Sequence, residues 1–256
     1  MYNNSANTKF TGKSIHFLPS CHSTNTVASE LVRSKSAVNG LIVITNEQTA
    51  GRGQQGNTWL STPNLNLTFS AIFFPDSYPI ADSFYLNIIS SLAVVETLEK
   101  LLPANKQVYV KWPNDIYIEN KKVSGILIEN TLRGDKINSV VMGIGINVNQ
   151  VLFDLPQATS VMQETGVEIN LQELFDKLCE HIEMFYLQLN AGLKHELLNL
   201  YQSKLYALNT LHAYQDEEGD FMGYIRSIEE NGTLLMEKES GAKRKYQFKE
   251  VRFIFR

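Results

Sequence analysis

Residues 107–149 read QVYVKWPNDIYIENKKVSGILIENTLRGDKINSVVMGIGINVN. Apolar and β-branched residues dominate this stretch, and Pro113 and the Gly-Asp pair at 134–135 interrupt it. Apolar runs separated by turn residues are typical of strands joined by hairpins. The stretch therefore predicts a meander of three segments, over residues 107–120, 121–135 and 137–149.

Helices and further strands are predicted on either side of this meander. Residues 23–35 have Ser23 or Thr24 as a helix N-cap, followed by apolar residues at helical spacing. Residues 41–48 and 66–75 are apolar enough to form buried strands. Residues 83–103 form a helix so apolar that we expect it to be buried against the sheet. A second helical region follows the loop at 150–170 and extends to about residue 204.

The pattern changes at about Leu208. Short alternating segments are separated there by the turn sequences DEEGD, EENG and ESG. This pattern predicts a small all-β module, of the SH3-barrel type. We therefore expect an α+β domain at residues 1–206 and a β domain at residues 207–256.

Composition excludes several classes of protein. The chain has 256 residues and a net charge of −4, so it lacks the basic excess of a nucleic-acid-binding protein. A basic segment at 243–256 (KRKYQFKEVRFIFR) indicates a charged strand edge, with nucleic-acid contact as the alternative. The two cysteines form no metal-binding motif, and no signal peptide or membrane span is evident. These features favour the cytoplasm.

A glycine-rich stretch, NEQTAGRGQQGNTW, occupies residues 46–59 directly after a predicted strand. Glycines in this position allow backbone N–H groups to approach an anion, and the guanidinium of Arg52 suits a carboxylate or a phosphate. The stretch matches neither the P-loop nor the dinucleotide-binding pattern. Taken alone, it is equally consistent with a tight surface turn.

Four other polar motifs occur along the chain, and each also has a purely structural explanation. KWPND at 111–115 suits a charged ligand or an Asn-Asp turn. KKVSG at 121–125 places a lysine before a strand glycine, which marks close approach of a ligand or of another chain segment. GIGIN at 143–147 suits a backbone-lined pocket or a β-bulge. STN at 23–25 suits a polar ligand or a helix cap.

In this order and spacing, the motifs resemble those of the biotin protein ligase family. The matching elements are STN, Gln48 with GRG-x-x-G-x-x-W, KWPND, Lys122 with the following GIL and glutamate, and GIGIN. The resemblance runs from about Ser20 to Asn149, and the C-terminal β module is similar to the family's small appended domain.

The resemblance implies a mixed sheet flanked by helices, followed by an SH3-like β-barrel. It implies ATP and biotin as substrates, Mg²⁺ with the ATP, and a biotin carboxyl carrier domain as the acceptor of biotin on a lysine. Bifunctional members begin with a DNA-binding domain, whereas only 22 residues precede Ser23 here. We therefore expect an enzyme without operator binding, with no membrane partner, and with a homodimer possible through a sheet edge.

The resemblance also implies roles for individual residues. The catalytic candidates are Arg52, Lys111 and Lys122, which would neutralise charge at the α-phosphate. No metal site is expected within the protein. Biotin-binding candidates are Ser23, Thr24, Asn25, Gln48, Gly51, Arg52, Gly53, Gln54, Lys122, Gly125, Gly143 and Gly145. Nucleotide-binding candidates are Arg52, Gln54, Asn57, Trp59, Lys111, Asn114, Asp115 and Asn147.

The sequence departs from the family pattern at two positions of the glycine-rich stretch. Many members have arginine where this chain has Gln54 and Asn57. The change removes about two positive charges near the phosphates, so we expect this loop to hold the adenylate less tightly. Two alternatives stay open at this point: a lipoate or octanoate ligase or transferase of related fold, and a degenerate module that binds without catalysis.

Overall fold

The computed structural model describes residues 2–255, except for the side chain of Gln55. Within them lie the helices α1 (Thr24–Arg33), α2 (Phe84–Glu99), α3 (Val161–Thr165), α4 (Leu171–Asn190) and α5 (Lys194–Ser203). The N-terminal strands are β1 (Ile15–Leu18), β2 (Ile42–Thr45), β3 (Leu67–Phe73), β4 (Tyr78–Pro79), β5 (Val108–Lys111), β6 (Asp115–Ile118), β7 (Lys121–Arg133) and β8 (Lys136–Ile146). The C-terminal strands are β9 (Leu211–Asp216), β10 (Gly219–Ile228), β11 (Leu234–Lys238), β12 (Lys243–Tyr246) and β13 (Arg252–Phe253).

The main sheet has the strand order β1-β2-β3-β8-β7-β6-β5, and β4 pairs with β8 outside this path. Strands β1 and β2 are parallel, whereas the other neighbours are antiparallel. The predicted mixed sheet is therefore confirmed. The expectation of one strand over residues 107–120 is corrected to a hairpin of β5 and β6. Pro113, which has no N–H to donate, lies in the turn between the paired residues Lys111 and Asp115.

Helices cover both faces of this sheet. Along β2, Ile42 and Ile44 belong to the core beneath α2 and α4, whereas Val43 packs on the other side with residues of α1. This alternation follows from the two-residue period of a strand. Helix α2 is buried along nearly its whole length between the sheet and the helices α4 and α5, as its apolar sequence predicts.

The C-terminal strands form a separate antiparallel sheet with the order β12-β11-β10-β9-β13. The predicted small β unit is confirmed, but its barrel is not closed, because β12 and β13 do not pair within the described residues. Strand β13 contains only Arg252 and Phe253, and both pair with β9. In the basic segment, Arg244 pairs with the acidic turn before β10, and Arg256 lies outside the described residues.

One hydrophobic core runs from the main sheet into the C-terminal sheet. At the junction, the indole N–H of Trp112 donates to the carbonyl of Gly232 at 3.0 Å. Gly232 has φ +88°, and a Cβ there would lie 2.5 Å from the ring of Phe84. The division at 206/207 stays a prediction. Among the helices of residues 2–255, none is both long and apolar enough to cross a membrane.

We predict that Gly232→Ala destabilises the protein through this junction. The added methyl group both strains the left-handed backbone and presses on Phe84, which should lower the free energy of unfolding by about 2–4 kcal/mol. Gly241→Ala is the matched control, because Gly241 has φ +86° and open space around its Cβ position. Denaturant unfolding measures both variants, and equal losses would show that the junction is not tightly packed.

Candidate active site

A patch without side chains on the α1 side of the main sheet creates the site. The register of β7 and β8 places Gly125 opposite Gly145, and Leu127 opposite Gly143. Because side chains alternate along a strand, the three glycines share one face. A cavity of about 590 Å³ lies over this patch. The glycines inside the strands therefore mark a ligand-sized space rather than a bulge.

Most of the residues that the sequence singled out line this one cavity, although they come from five separate segments of the chain. The predicted residues at its wall are Ser23, Thr24, Asn25, Gln48, Arg52, Gly53, Gln54, Asn57, Trp59, Lys111, Asn114, Asp115, Lys122, Gly125, Gly143 and Gly145.

Gly51 and Asn147 are the two candidates that the structure places outside this wall. Gly51 lines a neighbouring depression that shares Arg52 and Gly53 with the cavity wall, and a Cβ there would collide with the carbonyl of Trp59. Asn147 is buried beneath the site, where its Nδ2 donates to the carbonyl of Thr159 at 3.0 Å. Its Oδ1 has no hydrogen-bond partner within the described residues.

The glycine-rich loop folds back on itself and places Trp59 over the glycine patch. The N–H of Gly53 donates to the carbonyl of Asn57 at 2.7 Å, and that of Trp59 donates to Gly51 at 2.9 Å. A Cβ at Gly145 would lie only 2.5 Å from the Trp59 ring, so the glycine is needed where the indole lies on the sheet. The indole N–H is buried and has no partner among the described residues.

A network of hydrogen bonds forms the neutral end of the cavity at the start of α1. Gln48 accepts from the N–H of Thr24 at 2.8 Å and so caps the helix, whereas the Ser23 side chain makes no capping bond. The hydroxyl of Ser70, on β3, donates to Asn25 Oδ1 at 2.6 Å. A Cβ at Gly143 would overlap Asn25, so this glycine makes room for the network.

Two lysines form the cationic end of the cavity. The ammonium of Lys122 lies 2.6 Å from the carboxylate of Asp115 and 5.9 Å from the centre of the Trp59 ring. Burial lowers the pKa of Lys111; Asp115 opposes this effect and Lys122 reinforces it. Opposite ends of one cavity thus present neutral hydrogen-bonding groups and concentrated positive charge.

Glu129 is a site residue to which the sequence analysis assigned no role. Its Oε2 accepts from Arg52 Nη2 at 2.6 Å and from Asn25 Nδ2 at 2.9 Å. Glu129 and Arg52 are partly exposed, so their attraction contributes at most about 1 kcal/mol to stability. The effect of Glu129 is to connect the glycine-rich loop with the polar end of the cavity. The sequence did contain a signal for Glu129: this acidic residue lies four positions after Gly125 on the same strand, and therefore on the same face.

The C-terminal sheet also contributes to the wall. The residues concerned are Phe248, Lys249, Val251, Arg252 and Phe253. No local sequence pattern predicts this contribution. These residues follow the main sheet by more than a hundred positions, and their place at the cavity depends on how the two sheets pack.

Comparison with known proteins identifies the family. The model of the biotin/lipoate A/B protein ligase family matches residues 17–147, which is just over half of the chain. The chain belongs to this family. The resemblance predicted from the motifs is thereby confirmed.

Several relatives are similar over most of their length. The bifunctional ligase/repressor BirA of Bacillus subtilis is 33% identical over 229 residues, which are 88% of this chain and 69% of the relative. The biotin–[acetyl-CoA-carboxylase] ligase of Mycobacterium tuberculosis is 26% identical, covering 83% of this chain and 80% of the relative. The biotin protein ligase of Aquifex aeolicus, solved with biotin and ATP, is 28% identical with a TM-score of 0.76 and covers 94% of this chain and 100% of the other.

We predict that Glu129→Gln loosens the glycine-rich loop with little effect on global stability. The variant loses the charge that holds Arg52 but keeps an oxygen for Asn25, so hydrogen exchange over residues 51–59 should become several-fold faster. The melting temperature should hardly change, because the ion pair is partly exposed. Glu99→Gln, which breaks a similarly exposed 2.6 Å pair with Lys204, is the control and should leave the loop unaffected. Unchanged exchange in the Glu129 variant would contradict the prediction.

Proposed function

We propose that this enzyme activates biotin with ATP as biotinyl-5′-AMP and transfers the biotinyl group to a lysine of a biotin carboxyl carrier domain. The observation that carries the proposal is the single cavity with a neutral hydrogen-bonding end and a cationic end on either side of the glycine patch. Biotin has matching parts: a neutral ureido head, an apolar body and a carboxylate.

The α1 end of the cavity suits the ureido head. Ser23, Thr24, Asn25 and Gln48 supply hydroxyl and amide groups there, and all four line the cavity. Gly125 and Gly145 let the Trp59 ring lie directly on the strands, and Gly143 does the same for Asn25, so a bound ring system would rest against these side chains. The lipoate alternative is less well supported, since a dithiolane head cannot use this set of polar groups and the relatives named above are biotin ligases.

The first step joins two anions, the biotin carboxylate and the α-phosphate of ATP. The carboxylate oxygen attacks phosphorus and pyrophosphate leaves. Arg52, Lys111 and Lys122 would neutralise the charge that develops between them, which is the main need of such a transfer. The two cysteines lie outside the cavity wall, and the reaction needs no enzyme nucleophile. Catalysis therefore rests on positioning and electrostatics.

The nucleotide is assigned to the part of the cavity between the glycine-rich loop and β6. Gln54, Asn57 and Trp59 border it on one side, and Asn114 and Asp115 on the other. Asn147 is buried outside the cavity wall, and its Oδ1 has no partner within the described residues, so it stays a candidate for contact with the adenine. As the family resemblance implies, Mg²⁺ would enter as part of the substrate MgATP.

In the second step, the amine of the acceptor lysine attacks the carbonyl of the mixed anhydride. An amide bond forms, the amine loses a proton, and AMP leaves with the bonding electrons. The acceptor is the carrier domain of a carboxylase. A homodimer formed through an edge of the main sheet stays a prediction.

The reaction is tested by biotin-dependent exchange between pyrophosphate and ATP, followed by transfer of labelled biotin to a carrier domain. We expect exchange with biotin and not with lipoate or octanoate. Lys122→Ala should lower both activities about 100-fold or more, because it removes a cation at the site of charge development. Lys121→Ala changes the neighbouring exposed lysine and should leave both activities intact.

Two results would contradict the proposal. Exchange that depends on lipoate instead of biotin would favour the related ligases. A protein that binds biotin and ATP but neither exchanges nor transfers would be a binding module. A fully active Lys122→Ala variant would remove this lysine from the mechanism while leaving the function in place.

The retention of the adenylate is a separate prediction. Gln54 and Asn57 are neutral at the positions where many family members have arginine, so we expect release of biotinyl-AMP in the absence of acceptor. Gln54→Arg restores one charge at the cavity wall and should slow release by about threefold to tenfold. Filtration of protein loaded with labelled adenylate measures the rate. The idea is wrong if both the release and the ATP affinity stay unchanged.

A further inference from the structure

Three aromatic rings surround the ammonium group of Lys111. Its Nζ lies 5.3 Å from the ring centre of Phe253, 5.6 Å from that of Phe255 and 5.5 Å from that of Tyr117. These distances fall within the range over which a ring face attracts a cation. Tyr117 belongs to the main sheet, whereas the two phenylalanines belong to the C-terminal part of the chain. The lysine therefore lies where the two sheets meet.

The rings contact one another. Phe253 pairs in register with Tyr214 of β9, which fixes its backbone position. Phe255 stacks on Phe253 with ring centres 5.9 Å apart and on Tyr117 with centres 6.1 Å apart, each at 18°. The three rings are therefore one aromatic cluster, and its faces lie within reach of the Lys111 ammonium.

Charged neighbours account for the position of Lys111 only in part, since Asp115 favours its charged form while Lys122 opposes it. Asp115, the nearest acidic group on the same hairpin, is paired with Lys122 at 2.6 Å. Lys122 itself, together with Lys249 and Arg252 on the opposite wall, adds positive charge around the cavity. A lysine in such surroundings would turn towards water unless something favourable held it. The ring faces supply that attraction without neutralising the charge that a phosphate needs.

We propose that Phe253 and Phe255 are positioning residues, which hold the charged Lys111 side chain at the phosphate end of the cavity. This inference rests on the proposed function, because the position of Lys111 affects the reaction only if an α-phosphate reacts beside it. It assigns the C-terminal sheet a direct part in the first chemical step. The rings do not touch the reacting atoms; they act by restricting a flexible cation and by offsetting its partial dehydration.

The test is a double-mutant cycle that separates this role from simple packing. Phe253→Leu and Phe255→Leu keep an apolar side chain but remove the ring, and Phe255→Tyr keeps the ring. We expect each leucine variant to lower kcat/KM for ATP in biotin-dependent exchange by about threefold to tenfold, and the tyrosine variant to be near wild type. In a Lys111→Met background the leucine changes should have almost no further effect.

Phe221→Leu is the matched control. It removes a ring that faces Lys238, 4.6 Å away in the same C-terminal sheet, and Phe221 does not line the cavity. It should leave exchange unchanged. Binding of biotin alone should also be unchanged in Phe221→Leu, because this ring lies outside the cavity wall.

A second measurement does not depend on activity. With ¹³Cε-labelled lysine, the Lys111 signal is assigned by its loss in Lys111→Arg and titrated with pH. Each phenylalanine-to-leucine change should lower the pKa of Lys111, because the site stays apolar while the attraction for the charged form is lost. The titratable and charged groups around the lysine, namely Asp115, Tyr117, Lys122, Lys249 and Arg252, are unaltered in these variants.

The outcomes are distinct. An unchanged or raised pKa, or equal losses of activity in the wild-type and Lys111→Met backgrounds, would overturn the proposal and leave the rings a packing role. If the leucine changes lower the pKa of Lys111 but the wild-type protein shows no exchange, the ring contact is supported and the proposed ligase function is rejected. Both expected results together would support the two proposals.

Discussion

The arrangement of the site depends on one steric constraint, the absence of side chains on one face of β7 and β8. Gly125 and Gly145 are opposed across the two strands, and the Trp59 ring occupies the space that their Cβ atoms would fill. Likewise, the Asn25 side chain occupies the space that a Cβ at Gly143 would fill. A buried sheet normally gains stability from side chains at such positions. Here the space is used to bring a loop, a helix start and a ligand onto the strands.

Positively charged side chains are concentrated around this cavity. The chain has a net charge of −4, yet Arg52, Lys111, Lys122, Lys249 and Arg252 all border one cavity. The field that a phosphate meets is set by these neighbours, since charges beyond about 10 Å are screened at ordinary ionic strength. Three of these cations have identified neighbours: Lys122 pairs with Asp115, Arg52 pairs with Glu129, and Lys111 lies among aromatic rings. Net charge therefore says little about what this surface attracts.

The binding regions are also connected through shared partners. Glu129 accepts hydrogen bonds from both Asn25 and Arg52, so the polar end of the cavity and the glycine-rich loop meet at one carboxylate. The C-terminal sheet reaches the same cavity through Phe253 and its neighbours. A reaction that depends on positioning benefits from such shared supports, because an error of orientation lowers its rate steeply.

The sequence by itself did not predict β1, β4 or α3, but it determined the family, the strands β2, β3, β7 and β8, the helices α1 and α2, and most of the cavity wall. It could do so because glycines inside apolar strands, a loop rich in glycine, and charged residues at strand ends are local signals. Tertiary structure alone decided the hairpin at Pro113, the open edge of the C-terminal sheet and the positions of Gly51 and Asn147 away from the cavity wall. It also decided the contact of Phe253 and Phe255 with Lys111. Such features depend on which distant surfaces pack together, and no residue carries that information in its immediate neighbours.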